Sequence, residues 1–177
     1  MKVLFNYKEL TLSIKRLCFE LIENHLSFDD TVIVGLQPRG AFFAKKIHEI
    51  LSKEFLIKNL NIGYLDITFY RDDFRKKKHT VSANQTDITF LVENKKVIFI
   101  DDVLYTGRSI RAAMDAINSF GRPKKIELLV LVNRRFSREL PIEPNYVGMT
   151  VDAIDSEKVK VNFDLNNEKK SNVLLMK

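Results

Sequence analysis

Apolar residues along the chain alternate between two spacings. From Lys8 to Leu26, the residues Leu10, Ile14, Leu17, Cys18, Leu21 and Ile22 recur at helical spacing and predict one helix with one buried face. Asn6, with Glu9 three residues later, supplies the residue types of a capping box at its start. Thr31-Val32-Ile33-Val34-Gly35 is short, apolar and β-branched, which predicts a buried strand. A turn at Gln37-Pro38-Arg39-Gly40 leads into a helix from about Ala41 to Glu54. Asn61 to Tyr70 alternates and reads as a strand, and Ile88 to Val92 as a short one. Between them, Arg71 to Asn84 is polar, basic and aperiodic, which predicts a loop.

Val97-Ile98-Phe99-Ile100 is a second buried-strand run, followed by a helix from about Ser109 to Phe120. Gly121 ends that helix and Pro123 stands just beyond it. Lys125 to Asn133 carries Leu128-Leu129-Val130-Leu131-Val132, a third buried strand. Lys158 to Phe163 alternates and predicts a half-exposed strand late in the sheet. Strands alternating with helices define an α/β fold with a mostly parallel central sheet flanked by helices. No linker-like stretch interrupts residues 1–177, so one domain is expected. Ligands of such sheets bind at the carboxyl ends of the strands, which singles out the turns after Val34, Ile100 and Val132.

Composition narrows the class. Of 177 residues, 45% are hydrophobic and 29% charged, which excludes an intrinsically disordered chain. Lys and Arg outnumber Asp and Glu by 29 to 23, so the partner expected is anionic: a phosphorylated small molecule or nucleic acid. A single cysteine, Cys18, allows no internal disulfide and falls on the apolar stripe of the first helix. The scattered His25, His48 and His79 build no metal cluster with it. No stretch approaches a membrane span, and the expected location is cytoplasmic.

The segment with the most chemistry is Ile100-Asp101-Asp102-Val103-Leu104-Tyr105-Thr106-Gly107-Arg108-Ser109. Two carboxylates end a buried strand, a Thr-Gly turn follows, and a helix begins. A helix N-terminus presents unpaired N–H groups and a positive dipole end, which suits phosphate. Gly107 lets the backbone come close, and Thr106 and Ser109 add hydroxyl donors. Carboxylates only accept hydrogen bonds, so sugar hydroxyls are natural partners for Asp101 and Asp102. One loop thus has the groups to grip a phosphate and a ribose together.

These residues carry a resemblance. Val97 to Arg111, reading VIFIDDVLYTGRSIR, resembles the motif with which type I phosphoribosyltransferases bind phosphoribosyl pyrophosphate (PRPP). The form DDVLYTGR resembles more narrowly the PyrR family of pyrimidine-operon attenuators and uracil phosphoribosyltransferases. Further stretches that match are VIVGLQPRGAFFAKKI, LDITFYRDDF, GRPKKIELLVLV, RELPI and SEKVKV. The resemblance implies a type I phosphoribosyltransferase fold with a small hood and a flexible loop. It implies transfer from PRPP to uracil, with UMP and pyrophosphate as products, and Mg²⁺ carried mainly by PRPP or pyrophosphate. Asp101 and Asp102 would hold the ribose. Val103, Leu104, Tyr105, Thr106, Gly107, Arg108, Ser109 and Ile110 would form the nucleotide loop. Arg39 and Gly40 would hold pyrophosphate, and Arg71 would act from the loop that closes over the reaction. Asn133 and Arg134 would face the base. Tyr105 stands where purine-salvage relatives carry an acidic residue, which favours a pyrimidine.

The same resemblance implies a homo-oligomer, a dimer or higher, and a UMP-sensing regulator that binds pyrimidine-operon leader RNA. Lys15, Arg16, Arg138 and Lys158 occupy basic positions expected to touch RNA. The first helix departs from that pattern, with Phe19 and Asn24 where basic or imidazole side chains are expected. Two further departures are Pro38 in the pyrophosphate turn and Asn133-Arg134-Arg135-Phe136-Ser137 at the third strand end, one residue longer than the family's.

Overall fold

The structure, a computed structural model, describes residues 1–72, 84–154, 156–164 and 167–177. Most of the predicted Arg71 to Asn84 loop lies outside the described residues.

Helix α1 (Tyr7–His25) follows a short strand, β1 (Lys2–Phe5). Its capping box is formed. The Glu9 N–H donates to Asn6 Oδ1 at 3.1 Å, and the Asn6 N–H donates to Glu9 Oε2 at 2.9 Å. The predicted apolar stripe is buried, with Cys18 among it. Burial, reinforced by Glu54, pushes the Cys18 thiol up to about 12, so it is packing and not chemistry. Then come β2 (Thr31–Leu36), α2 (Arg39–Lys53), β3 (Asn61–Leu65), β4 (Lys96–Leu104), α3 (Arg108–Ile117), β5 (Lys125–Arg135), β6 (Tyr146–Asp152), β7 (Lys158–Asn162) and β8 (Asn172–Met176).

Five strands form the central sheet in the order β3-β2-β4-β5-β6, and every neighbouring pair is parallel. Helices α1 and α2 cover one face over a core that includes Phe43, Leu17 and Ile98. Helix α3 covers the other, over Val34, Phe99 and Val130. From β2 the chain steps outward to β3 and then returns to place β4, β5 and β6 on the other side of β2. The order therefore reverses between β2 and β4. Crossover loops leave in opposite directions there and open a crevice at the carboxyl ends.

Three expectations are corrected, and one strand had no expectation at all. The predicted strand at Lys158 to Phe163 does not join the central sheet. As β7 it pairs antiparallel with β8, which pairs antiparallel with β1, and these three strands make the hood. The predicted strand at Ile88 to Val92 forms no ladder, only the neighbouring Tyr64–Asp87 bridge. Ile88, Phe90 and Val92 instead pack on the α3-side core, and the Val92 N–H goes to the Phe120 carbonyl at 2.9 Å. The Asn61 strand stops at Leu65, because Asp66 Oδ1 accepts from both N–H and hydroxyl of Thr68 and winds Thr68–Tyr70 into a 3-10 turn. The edge strand β6 has no signature in the apolar pattern. Gly148 interrupts it, where a Cβ would meet the Leu131 carbonyl oxygen at 2.4 Å.

Candidate active site at the strand ends

Two turns meet at the reversal. The first follows β2. Its Gln37-Pro38 peptide is cis, and Arg39 and Gly40 open α2. A Cβ at Gly40 would stand 2.3 Å from the Ile100 carbonyl oxygen and 3.0 Å from Asp101 Cα. Only glycine lets the start of α2 press against the end of β4, and so the two loops share one crevice.

The second turn follows β4. Asp101 Oδ1 accepts from the Asp102 N–H at 2.9 Å, and Asp102 Oδ1 accepts from the Val103 N–H at 2.9 Å. Each carboxylate is thereby aimed by the backbone of the next residue. Asp102 Oδ2 is buried with no hydrogen-bond partner. The nearest cation, Arg39 Nη1, is 3.9 Å away, an ion pair but too long for a hydrogen bond. Burial, with the Asp102 charge added, holds Asp101 well above the usual carboxylate range. Burial also raises Asp102, against the pull of Arg39.

The backbone then turns at Gly107, with φ of 92° at the N-cap of α3. No side chain caps this helix, so its first N–H groups face the crevice mouth without a built-in anion. Thr106 Oγ1 accepts only a long 3.4 Å bond from the Arg108 N–H. The Thr106 carbonyl accepts from Glu139 and Leu140 N–H at 3.0 and 3.3 Å, which ties this turn to the segment after β5. Ile110 is buried and Ser109 half-buried beneath the turn. The Arg108 side chain is turned away from the loop: Nε donates to Glu139 Oε2 at 2.5 Å, and Nη1 meets Asp72. Arg71, extended after the Thr68–Tyr70 turn, stands beside that Asp72.

The third strand end completes one wall. Leu104 pairs with Asn133 across β4 and β5. Arg134 is buried, lies 4.1 Å over the Tyr105 ring, and donates from Nη2 to the Ile154 carbonyl at 3.3 Å. Arg138, one of the basic residues expected to touch RNA, lies beside this wall. Its Nη1 donates to the Tyr105 carbonyl and its Nη2 to Asn133 Oδ1 at 2.6 Å. The Nε atoms of Arg134 and Arg138 are both buried without a partner.

The other basic candidates lie elsewhere. Lys15 and Arg16 are on α1: Lys15 pairs with Glu54 at 2.7 Å, while Arg16 meets Glu20 and donates to the Val147 and Gly148 carbonyls at 2.8 Å each. Lys158 is exposed at the start of β7. A groove of about 570 Å³ between α1, α2 and the hood, floored by Tyr7, Phe42 and Phe163, is remote from the phosphate-cradling geometry. Sequence reasoning missed Asp72 and Glu139 as partners of Arg108, since 36 and 31 residues separate them from it. Among the described residues no three His, Cys, Asp or Glu side chains cluster as a metal site, and no helix is long and apolar enough to cross a membrane.

A parallel sheet with a carboxylate pair and an open helix N-terminus at its reversal point is the architecture of a phosphoribosyltransferase. The family model described as "Phosphoribosyl transferase domain" matches residues 3–168, and the chain belongs to that family. Within it, the chain belongs with the bifunctional PyrR proteins. It is 43% identical over 146 residues to "Bifunctional protein PyrR" of Desulfosudis oleivorans, covering 82% of this chain and 80% of the relative. It is 42% identical over 151 residues to that of Limosilactobacillus fermentum, covering 84% and 83%. Among solved structures, the hypoxanthine phosphoribosyltransferase of Trypanosoma cruzi superposes with a TM-score of 0.73 at 14% identity, covering 99% of this chain and 91% of that one. A hypoxanthine phosphoribosyltransferase from Staphylococcus aureus gives 0.65 at 22% identity, covering 85% and 78%. At such identities these structures establish the fold alone.

Proposed function

We propose that residues 1–177 act as one phosphoribosyltransferase domain in the cytoplasm, transferring the phosphoribosyl group of PRPP to uracil to give UMP and pyrophosphate. The observation that carries this reading is the buried, unpartnered Asp102 Oδ2 beside the open N-terminus of α3. An acceptor without a donor, next to donors without an acceptor, fits a ribose hydroxyl joined to a 5′-phosphate.

In this reading Asp101 and Asp102 hold the ribose hydroxyls. The backbone N–H groups of Thr106, Gly107, Arg108, Ser109 and Ile110 take the 5′-phosphate, while Arg39 and the Gly40 N–H take the pyrophosphate. Asn133 and Arg134 stand at the base, and Arg71 faces the leaving group from the loop that follows it. Uracil N1 bonds to C1′ as the bond from C1′ to pyrophosphate breaks, and the N1 proton passes to solvent. Holding the reactants in line and stabilising charge carry the rate. Phosphoribosyltransferases generally use Mg²⁺ with PRPP. The unpartnered Asp102 oxygen would help hold such an ion, which would supply charge neutralisation at pyrophosphate.

UMP-dependent binding of pyrimidine-operon leader RNA, by a homo-oligomer, belongs to the same reading. Its support is membership among the PyrR proteins, together with Lys15, Arg16 and Lys158. Arg138 supports it less, because its guanidinium is committed to Tyr105 and Asn133.

A nucleobase panel with PRPP and Mg²⁺, followed by pyrophosphate release, tests the enzyme. Uracil is expected to be preferred, and equal turnover with hypoxanthine, guanine or orotate overturns the assignment. A leader stem-loop against a scrambled RNA of equal length, with and without UMP, tests the regulator: equal binding with no UMP effect removes it.

A further inference from the structure

The wall at the end of β5 carries positive charge without a bonded counter-charge. Arg134 is 5% exposed, and its guanidinium meets the Tyr105 ring and the Ile154 carbonyl, not a carboxylate. Arg138 gives both Nη atoms to neutral oxygens, the Tyr105 carbonyl and Asn133 Oδ1. Burial works against the charge on Arg138, and Glu143 offsets it only through space. Neighbouring cations are answered differently: Arg39 faces Asp102, Arg108 is held by Asp72 and Glu139, and Arg135 by Asp152. Two buried guanidiniums without a carboxylate are costly to the empty protein and favour negative charge beside them.

Arg138 also decides which way the Asn133 amide points. A guanidinium only donates, so the atom it meets at 2.6 Å is the amide oxygen. The amide Nδ2 is thereby turned away from Arg138. It has no partner within the chain among the described residues, and unlike the Nε atoms of Arg134 and Arg138 it is not sealed off, so it is open to the crevice. Asn133 pairs with Leu104, which places this donor beside the start of the nucleotide loop. A bond accepted from a cation polarises the amide and strengthens what its N–H donates. Such a donor gains most against an oxygen on which negative charge develops. Uracil develops that charge when N1 loses its proton, because the anion spreads from N1 onto the carbonyl oxygens.

We propose that Arg138 is a positioning residue that acts through Asn133 to stabilise the ionised form of the base, so that uracil loses its N1 proton to solvent without a side-chain base. Asn133 Nδ2 donates to a carbonyl oxygen of the uracil anion, and the buried charge of Arg134 adds to the field. N1 of the anion then bonds to C1′, and pyrophosphate leaves with the electrons of the bond that breaks. This inference rests on uracil transfer as the reaction and adds the protonation state in which the base attacks. It also assigns a purpose to a cationic wall in a crevice whose two carboxylates, Asp101 and Asp102, are given to the ribose.

Two bases of different acidity read this charge. 5-Fluorouracil is nearly the size of uracil and gives up its N1 proton more readily, so kcat/KM is followed for both across pH with PRPP and Mg²⁺. Arg138→Gln keeps a donor and deletes the charge. It is expected to lower kcat/KM for uracil about tenfold at pH 7, equivalent to one unit of proton affinity, and for 5-fluorouracil no more than about threefold. The rise of uracil kcat/KM with pH moves to higher pH in this variant, because the base holds its proton longer without the cation. In each chain the rise for 5-fluorouracil lies at lower pH than that for uracil, whereas a rise set by Asp101 or Asp102 stands at one pH for both. Arg138→Lys restores the charge and is expected to recover most of the loss. Asn133→Ala leaves the bond from Arg138 to the Tyr105 carbonyl in place and is expected to reproduce the selective loss. The Arg138→Gln/Asn133→Ala double variant loses no more than either alone, as two groups acting in series do. Equal losses for the two bases, a rise at one pH for both, or additive losses in the double variant overturn the proposal and leave uracil transfer standing. A wild-type chain inactive on uracil removes the uracil reading itself, and this inference with it.

Discussion

Strands β4 and β5 have polar groups at both ends, and the two ends treat them oppositely. At the amino end, His25 closes a buried cluster. Its Nε2 lies 2.9 Å from Glu127 Oε2 and 3.1 Å from the Tyr146 hydroxyl, and its Nδ1 lies 3.1 Å from Thr31 Oγ1. The Tyr146 hydroxyl donates to Glu127 at 2.8 Å, and Lys125 pairs with the other Glu127 oxygen at 2.6 Å. Every one of these groups has a partner. At the carboxyl end, Asp102 Oδ2, Arg134 Nε and Arg138 Nε are buried and have none. Burying an unpaired polar group costs about 1–3 kcal/mol. One end of the sheet thus uses polar atoms to join α1, β2, β5 and β6, and the other leaves three of them unpaired beside the proposed site. A satisfied cluster marks structure, and an unsatisfied one marks function.

Titration follows the same division. Burial lowers His25, and Glu127 only partly offsets it. Burial alone would raise Glu127, but Lys125, Tyr146 and His25 hold it below the usual carboxylate range. At both groups the unfolded chain binds protons first, so acid weakens the amino end. At Asp101 and Asp102 the folded chain binds protons first, so rising pH weakens the carboxyl end.

The largest effect expected is at the amino end. Glu127→Ala strands His25 and Tyr146 together and is expected to lower unfolding free energy by about 3 kcal/mol in urea titrations. Turnover per folded molecule stays unchanged. A matching loss of turnover would show that the two ends are not separate. Next comes Asp102→Asn, which is expected to cut PRPP-dependent turnover about tenfold or more, equivalent to about 1.4 kcal/mol, with stability retained. Near-normal turnover in a folded variant removes the carboxylate from the mechanism. Asp101→Asn keeps the acceptor for the Asp102 N–H but deletes a buried charge. It is expected to raise stability at pH 7 while lowering activity, the trade expected of a strained site. That gain shrinks as pH falls below the folded value of Asp101, where the native chain takes up the proton itself, and is gone below the ordinary value of the unfolded carboxyl. The smallest effect is a slope. Below about pH 6.5, the ordinary value for histidine, His25 is expected to cost the native chain stability as it resists protonation. His25→Gln removes that part of the slope, and identical slopes in the two chains refute the assignment.

Local order was readable in the sequence. Helix α1 came out within one residue at each end, because a 3.6-residue period over nineteen residues and an Asn6–Glu9 cap are local signals. The strand β2 and the start of β4 were equally plain as β-branched runs, since a strand covered on both faces has no polar alternation to blur it. The segment Asp101 to Ser109 announced its chemistry through residue types alone: paired acceptors, a turn, and a helix start.

Everything that joins distant segments was decided by tertiary structure. Strands β1 and β8 are short, and they and the glycine-containing β6 are held by their neighbours and not by their own pattern. The hood took β7 because pairing with β8 was available, a choice that alternation cannot express. Arg138 was one more basic residue until it folded between Tyr105 and Asn133, and the partners of the Arg108 side chain, Asp72 and Glu139, were not readable from its position. Periodicity records which face of an element is buried, and residue types record what chemistry a turn can do. Which turns meet, and which charged groups find a partner there, depends on the order of strands across the sheet. That order comes from packing over separations of tens of residues, where a single sequence carries no local signal.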